Sequence, residues 1–184
     1  MKRLLLGITG GVATKLTAKM VEALQAADFE VEIVATEKAK QFVDLSTLGV
    51  PVWYDSDEWP KKLYEKDDNI VHIERRDWAD VLLIAPLTAN TLAKLANGIC
   101  DNLLTSIARA WHLDRPVVVA PAMNTAMWEH PLTKKQLKEI SSWYWLKIVD
   151  PVVKRLACGD EGMGAMADIG DIVAATVRAY ERRK

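Results

Sequence analysis

Four short apolar runs, separated by helical patterns, constrain the fold of this chain more than any other feature of its sequence. The runs are rich in Val, Ile, Leu and Ala, and they cover residues 2–8, 31–35, 80–85 and 116–120. A strand that is apolar on both faces must be covered on both faces, which is typical of parallel sheets that lie between layers of helices. The chain is therefore predicted to form a doubly wound α/β domain, mostly parallel and three-layered, of the flavodoxin-like or Rossmann-like kind.

Helical patterns fill most of the chain between the predicted strands. After the first strand, apolar residues recur at helical spacing from position 16 to position 27. Further helical patterns cover residues 89–96, 102–111, 133–140 and 171–182. The alternation of strand and helix places ligands at the carboxyl ends of the strands.

Two segments fit neither pattern. Residues 51–69 are predicted to be irregular, and residues 156–166 are too rich in glycine for a helix or a strand. A chain of 184 residues that is 50% hydrophobic can bury one substantial core. Residues 1–184 are therefore expected to form a single domain.

Charge and cysteine content exclude several classes of protein. Acidic and basic residues are interspersed and the formal net charge is -1, so there is no basic stripe to bind nucleic acid or an anionic membrane. The N-terminal apolar run is too short for a secretory signal, and no run is long enough to span a membrane, which predicts a cytoplasmic protein. The two cysteines and three histidines form neither a disulfide framework nor a zinc pattern, so no metal is expected.

A glycine-containing turn follows the first predicted strand and opens the first helix. Gly10 and Gly11 lie where exposed backbone N–H groups and the helix dipole favour an anion, so the turn could hold a phosphate. The spacing is neither Gly-x-Gly-x-x-Gly nor a Walker loop. A tight strand-to-helix turn without a ligand therefore stays an alternative.

Two further strand ends carry short polar loops. Thr88 follows the strand that ends at position 85, and Asn124 follows the strand at 116–120. Because the carboxyl ends of parallel strands meet at one edge of the sheet, the three loops suggest a mononucleotide that lies along this edge, with its phosphate bound by Thr and Asn side chains as well as by backbone. Helix capping by Thr88 and Asn124 is an alternative that is compatible with ligand binding, because a cap position also attracts an anion.

Cys158 and His72 are candidates for chemistry whose context leaves a structural alternative open. Three glycines follow Cys158 within six residues, which would let the backbone close over a ligand. Free cysteine is, however, also among the most often buried residues. His72 lies between two apolar residues and could equally be a structural histidine.

Six segments carry a resemblance to a known family. The most specific are Pro-Ala-Met-Asn-Thr-Ala-Met-Trp at 121–128 and Ala-Cys-Gly-Asp-Glu-Gly-Met-Gly-Ala-Met at 157–166. The other four lie at 71–73, 78–80, 85–92 and 100–105. On these segments, which follow the family's order, the chain resembles the homo-oligomeric flavin-containing cysteine decarboxylases.

The resemblance implies a bound FMN and the decarboxylation of 4'-phosphopantothenoylcysteine to 4'-phosphopantetheine, a step of coenzyme A biosynthesis. In this family the flavin oxidises the cysteine side chain of the substrate to a thioaldehyde, carbon dioxide leaves to give an enethiolate, and the reduced flavin returns the hydride. His72 matches the residue that removes a proton during the oxidation. Asn124 matches the residue that holds the substrate carboxylate, and Cys158 matches the acid that protonates the enethiolate.

The resemblance also implies the remaining contacts and the assembly. Besides Asn124, the substrate is expected to contact Arg155, Ala157 and Met166. The residues expected to contact FMN are Gly10, Gly11, Val12, Thr36, Lys38, Thr88, Ala89, Asn90, Thr91 and Ala122. The expected assembly is a homotrimer or a multiple of trimers, with FMN and substrate at subunit contacts and the segment 100–105 in contact with a neighbour.

The chain departs from the family pattern at two positions. Asp77 stands where relatives carry a base directly before the tryptophan, so Arg75 and Arg76 are displaced by one residue, which is about 100° in a helix. Gly11 stands where relatives usually have serine, which removes a hydroxyl donor from the turn.

Two other functions stay open for such a chain. An oxidative decarboxylase that acts on the C-terminal cysteine of a peptide would release the enethiol and need no proton donor, so Cys158 argues against it. A flavoprotein that regulates a protein phosphatase would usually carry a long acidic tail, whereas this sequence ends in Arg-Arg-Lys.

Overall fold

Six parallel strands form the centre of the computed structural model, which describes residues 2–59, 69–143, 145–155 and 161–182. The strands are β1 (Lys2–Ile8), β2 (Phe29–Ala35), β3 (Val52–Trp53), β4 (Val81–Leu87), β5 (Val117–Pro121) and β6 (Leu146–Ile148). Their order across the sheet is β3-β2-β1-β4-β5-β6, and every neighbouring pair is parallel. The predicted doubly wound α/β fold is confirmed, and its strand order is that of dinucleotide-binding folds.

Helices cover both faces of the sheet. They are α1 (Thr17–Ala26), α2 (Asp55–Glu58), α3 (Val71–Trp78), α4 (Ala89–Ala96), α5 (Leu103–Ala110), α6 (Thr125–Glu129), α7 (Pro131–Ser141) and α8 (Ile169–Glu181). A 3-10 turn at Val12–Leu16 precedes α1, so the first helix opens with a tighter turn than its apolar spacing predicts. Among the residues that the structure describes, no helix is long and apolar enough to cross a membrane.

The core has two halves, because successive residues of a strand point to opposite faces of the sheet. Leu4 and Leu6 of β1 belong to the cluster that includes residues of α1 and α8, whereas Leu5 belongs to the cluster formed with α4, α5 and α7. All three leucines are fully buried, and full burial of one leucine stabilises a fold by about 1.5–3 kcal/mol. Burial on both faces explains why the strand sequences are apolar at consecutive positions.

The order of the strands reverses between β1 and β4. From β1 the chain proceeds to β2 and β3 on one side of the sheet, and from β4 it proceeds to β5 and β6 on the other. The loops that follow β1 and β4 therefore leave in opposite directions, and a crevice opens between them at the carboxyl edge. The fold thus places the glycine turn next to Thr88.

A hairpin lies beside the main sheet, where the sequence predicted neither helix nor strand. That prediction is wrong for part of the segment 156–166, because β8 (Glu161–Ala165) pairs antiparallel with β7 (Val152–Arg155). Residues 156–160 lie outside the described residues.

Close approach of the backbone explains the glycines of β8. A Cβ at Gly162 would overlap Thr125 Oγ1, and a Cβ at Gly164 would overlap the carbonyl oxygen of Met123. Gly164 also has a φ of +136°, which side-chain-bearing residues rarely adopt. These glycines let a strand lie against the loop after β5.

Several other elements differ from the sequence prediction. Residues 51–69 were expected to be irregular, but they begin with β3 and α2, and residues 60–68 lie outside the described part. The helix α3 was missed because Val71 is its single buried residue, so it has no apolar stripe. The strand β6 has three residues, which is too short to give a pattern.

Candidate functional site

Two adjoining clefts lie at the carboxyl edge of the sheet and share Gly10 and Thr88. The polar cleft has a volume of about 460 Å³ and is lined by Gly10, Thr36, Glu37, Lys38, Asp55, Thr88, Ala89, Asn90, Thr91, Lys94, Asp101, Asn102 and Met127. The apolar cleft has a volume of about 620 Å³ and is lined by Gly10, Gly11, Val12, Ala13, Lys15, Leu16, Thr88, Ala122, Met123, Asn124, Lys154, Gly164, Ala165 and Met166. All residues that were expected to contact FMN line one of these clefts. Their contact with a cofactor stays a prediction.

Thr9 fixes the separation of the loops after β1 and β4. Its carbonyl oxygen accepts hydrogen bonds from the backbone N–H of Gly11 at 2.8 Å and from Thr14 Oγ1 at 2.6 Å. Its hydroxyl donates to the carbonyl oxygen of Pro86 at 2.6 Å and accepts from the backbone N–H of Thr88 at 3.2 Å. Thr9 is buried, so these bonds hold the two walls of the crevice in place. This threonine is not among the residues predicted from the sequence.

Gly10 and Gly11 keep open the space where the clefts meet. A Cβ at position 10 would overlap Lys38 Cβ, and a Cβ at position 11 would lie 3.2 Å from Thr88 Cγ2. Larger residues would therefore fill the shared space or push the loops apart. Thr88, Thr91 and Lys38 line the polar cleft. This set of groups fits a phosphate-bearing ligand.

The two predicted helix caps behave differently. Thr88 occupies the N-cap position of α4, but its side chain makes no capping hydrogen bond, and its Oγ1 lies 3.4 Å from Thr91 Oγ1. Asn124 does cap α6, because its Oδ1 accepts from the backbone N–H of Met127 at 2.8 Å. The two Nδ2–H donors of Asn124 take no part in this cap. They suit the predicted contact with a carboxylate.

His72 lies in the first turn of α3 and lines neither cleft. Its ring Nδ1 is hydrogen-bonded to Glu58 Oε1, and its backbone N–H donates to Glu58 Oε2 at 2.8 Å. The side chain of Glu58 is 6% exposed and that of His72 is 27% exposed. Sequence reasoning missed Glu58, for which the one available signal was the acidic run in α2.

An ion pair anchors α3 to the sheet. Arg75 Nη1 donates to Glu32 Oε2 at 2.8 Å, and Trp53 Nε1 donates to the same oxygen at 2.7 Å. The guanidinium of Arg75 also lies 4.4 Å from the centre of the Trp53 ring. Both charged side chains are largely buried, and removing one partner of such a pair typically costs about 3–5 kcal/mol. The pair holds the helix that carries His72 against β2 and β3.

Asp77, the departure from the family pattern, belongs to a surface cluster. Its Oδ1 accepts from His112 Nε2 at 3.0 Å and from Arg76 Nε at 2.8 Å. The hydrogen bond with His112 lowers the pKa of the Asp77 carboxyl below its ordinary value, and Arg76 lowers it further. Where relatives carry a base, this chain therefore has an exposed acceptor that is already paired.

The predicted substrate contacts are only partly described. Asn124 and Met166 line the apolar cleft, and Met166 is buried. Arg155 is the last residue of β7. Ala157 and Cys158 lie outside the described residues.

Comparisons with known proteins identify a family and similar solved structures. The profile of the family described as Flavoprotein matches residues 1–181. Phosphopantothenoylcysteine decarboxylase of Mus musculus is 47% identical over 173 residues, which are 94% of this chain and 84% of the mouse protein. A solved structure of a PPC decarboxylase mutant complexed with pantothenoylaminoethenethiol matches with a TM-score of 0.91 at 43% identity, over 98% of both chains. The structure of the FMN binding protein AtHal3 matches with a TM-score of 0.87 at 43% identity, over 100% of this chain and 98% of its own.

Proposed function

This chain belongs to the Flavoprotein family, and on that premise we propose that it catalyses the FMN-dependent decarboxylation of 4'-phosphopantothenoylcysteine to 4'-phosphopantetheine in coenzyme A biosynthesis. The observation that carries the proposal is the carboxyl edge of the sheet, where a polar and an apolar cleft share Gly10 and Thr88 in a chain 47% identical to the mouse decarboxylase. The structural neighbour that holds pantothenoylaminoethenethiol supports the same substrate class.

FMN is the cofactor that these residues fit. The polar cleft is lined by Thr88, Thr91 and Lys38, and hydroxyl and ammonium groups are suited to bind a phosphate and a sugar chain. The apolar cleft offers Val12 and Ala122 to a flat ring system. When bound, FMN supplies a reversible acceptor for hydride. The similarity to the FMN binding protein AtHal3 supports this assignment.

Asn124 is suited to hold a carboxylate that is to be lost. Its Nδ2–H groups can orient the carboxylate, whereas a cation would stabilise the charged ground state and so oppose decarboxylation. Met123 and Met166 add apolar surface to the same cleft, and of the two lysines that line it Lys154 is paired with Asp168. An apolar surrounding favours the loss of a charged carboxylate as neutral carbon dioxide.

His72 and Cys158 are assigned the two proton transfers. An imidazole accepts a proton readily near neutral pH, and Glu58 leaves the Nε2 atom of His72 as the accepting atom. A thiol such as Cys158, in the segment outside the described residues, is a much stronger acid than a hydroxyl and can protonate a carbon centre.

A homotrimer, or a multiple of trimers, would bring His72 of one subunit to the clefts of another. Within one chain His72 lines neither cleft, although its role requires it to reach the substrate. Large apolar side chains next to this helix and next to the segment 100–105 are exposed, namely Trp59, Ile70 and Ile99. Burial of these side chains at a subunit contact would favour such an assembly.

Mixing two inactive variants tests the shared site. His72→Asn removes the base, and Asn124→Asp places a carboxylate against the substrate carboxylate while an aspartate can still cap α6. If His72 and Asn124 of one site come from different subunits, random reassembly of equal amounts is expected to restore about one quarter of the sites. The measurement is decarboxylase activity after joint dissociation and reassembly. A mixture as inactive as its components, or a fully active monomer in light scattering, would contradict the shared site.

Mass spectrometry of the product tests the reaction itself. The FMN-loaded protein, incubated without oxygen with 4'-phosphopantothenoylcysteine, is expected to give 4'-phosphopantetheine, because the proposed reaction has no net redox change. A product two hydrogen atoms lighter, formed once per flavin, would indicate an oxidative decarboxylase instead. An unchanged substrate would overturn the proposal.

A further inference from the structure

Both carboxylate oxygens of Glu58 contact His72. Oε2 accepts the backbone N–H of His72 at 2.8 Å, and Oε1 is hydrogen-bonded to the ring Nδ1. The side chain of Glu58 is almost fully buried, whereas the ring of His72 keeps about a quarter of its surface exposed. An ionised carboxylate can only accept hydrogen bonds. The contact therefore requires a proton on Nδ1 and leaves Nε2 as the atom that gains and loses a proton.

We propose that Glu58 is a positioning residue that fixes the tautomer and the orientation of His72 for proton abstraction. The inference rests on the proposed function, which makes His72 the base. A base works only if its unprotonated nitrogen points to the proton that is removed, and a neutral imidazole has two tautomers of which one is useful. Glu58 selects the useful one and also stabilises the imidazolium that forms.

Helix capping alone is a simpler role for Glu58, and it explains one of the two contacts. The N-cap residue of α3, Ile70, has no side chain that can cap the helix. Glu58 Oε2 satisfies the backbone N–H of His72 in its place, and a carboxylate is favoured at a helix N-terminus. Capping does not explain the second contact, between Oε1 and Nδ1.

A glutamine at position 58 separates capping from positioning. The backbone N–H of His72 can only donate, so the amide of Glu58→Gln would meet it with its oxygen and keep the cap. The amide NH₂ group would then face the ring nitrogen that Oε1 contacts now. Because this group donates, Nδ1 would have to accept, and the ring proton would move to Nε2. The substitution therefore keeps the helix but inverts the tautomer.

The position of α3 does not depend on Glu58 alone. Arg75, one turn after His72, is tied to Glu32 of β2 and stacked on Trp53 of β3. The start of the helix is thus held independently of Glu58. A change at position 58 is expected to alter the protonation of the ring rather than the path of the backbone.

The experiment compares the parent protein with Glu58→Gln, with Glu58→Asp and with the control Glu74→Gln. Glu74 lies on the same helix, its side chain is 37% exposed, and its Oε2 lies 3.7 Å from Arg75 Nη2. Nitrogen-15 NMR of histidine-labelled, FMN-loaded protein gives the tautomer of His72, with His72→Asn identifying its signals. Stopped-flow absorbance of the flavin in single turnover without oxygen gives the rate of substrate oxidation.

The parent and the control are expected to show the Nδ1–H tautomer and the same rate. Glu58→Gln is expected to show the Nε2–H tautomer and a rate about 100-fold lower, within the usual contribution of a general base, with unchanged FMN content. Glu58→Asp keeps two acceptor oxygens and should keep the parent tautomer while it recovers part of the rate.

Three results would overturn the inference. They are an Nε2–H tautomer in the parent protein, a parent-like rate in Glu58→Gln, and an inverted tautomer in Glu58→Asp, which decides the matter if the glutamine variant does not fold. A parent protein that leaves 4'-phosphopantothenoylcysteine unchanged would overturn the proposed function instead. The tautomer of His72 is measured without substrate, so the two failures are distinguishable.

Discussion

Replacement of His72 by Asn is expected to lower the rate of substrate oxidation by a factor of about 10²–10⁴, which is the usual contribution of a general base. FMN should stay bound, because none of the residues assigned to the cofactor lies on α3, the helix that carries His72. The helix should also stay in place, since the Nδ2–H group of an asparagine can still donate to Glu58. The measurement is the loss of oxidised-flavin absorbance in single turnover without oxygen, with FMN content determined on the same sample.

His112→Asn is the matched control for this substitution. His112 donates to Asp77 on the surface and lines neither cleft, so its replacement should leave the rate of oxidation unchanged. If His72→Asn reduces the flavin as fast as the parent protein does, His72 has a structural role and another group is the base.

The strands and the long helices of this fold were predictable because burial leaves a direct mark on their sequences. Leu4, Leu5 and Leu6 are all fully buried, so β1 is apolar at consecutive positions and reads as a central strand. The helix α4 was predicted with its exact bounds, because Thr91, Leu92 and Leu95 form one buried stripe. In both elements, the buried contacts that stabilise the strand or helix also determine which of its positions are apolar.

Elements that depend on contacts with distant parts of the chain could not be predicted from local apolar patterns. Glycine is depleted in strands, and Gly164 stands in β8 because the backbone of Met123 lies where a side chain would be. The helix α3 is polar along most of its length and is held by the pair between Arg75 and Glu32. Neither the close approach of Met123 nor the pair between Arg75 and Glu32 leaves a pattern in the neighbouring sequence.

Some residues of the candidate site could be predicted from the local sequence, and others could not. Gly10, Thr88 and Asn124 were found because each follows a strand, and the parallel sheet brings strand ends together by its topology. Thr9 and Glu58 were missed, because their roles depend on contacts between elements far apart in the chain: Thr9 with Pro86, and Glu58 with His72. The family resemblance supplied His72 but not the carboxylate that holds it.

The displaced arginines now have a physical explanation. Arg75 turns into the core to pair with Glu32, which stands in the middle of β2 and is nearly buried. Arg76 and Asp77 face the surface, where they pair with one another. A base moved from position 77 to position 75 thus serves to anchor the helix, and position 77 carries an acceptor that pairs with Arg76 and His112 on the surface.

Replacement of Cys158 by Ser is expected to stop the reaction between its two halves. The segment 156–160 lies outside the described residues, so this prediction rests on the role that the family resemblance gives to Cys158. The oxidation of the substrate and the loss of carbon dioxide are assigned to His72 and Asn124 and need no cysteine of the protein, so both should proceed. Protonation of the enethiolate should fail, because a serine hydroxyl is a far weaker acid than a thiol. Mass spectrometry should then find carbon dioxide and an enethiol two hydrogen atoms lighter than 4'-phosphopantetheine, and absorbance should show flavin that stays reduced.

A packing defect at position 158 would give a different set of results, so Cys158→Ser distinguishes a proton donor from a packing residue. Loss of packing lowers both half-reactions and the FMN content together, whereas loss of a proton donor lowers the second half-reaction alone. Cys100→Ser is the matched control, because Cys100 Sγ donates to the carbonyl oxygen of Gly98 in the same chain at 3.3 Å, a bond that a hydroxyl can also make. If Cys158→Ser forms 4'-phosphopantetheine at the parent rate, some other group protonates the enethiolate. If the variant loses FMN or does not fold while Cys100→Ser is normal, Cys158 is a packing residue and its assignment as the acid is wrong.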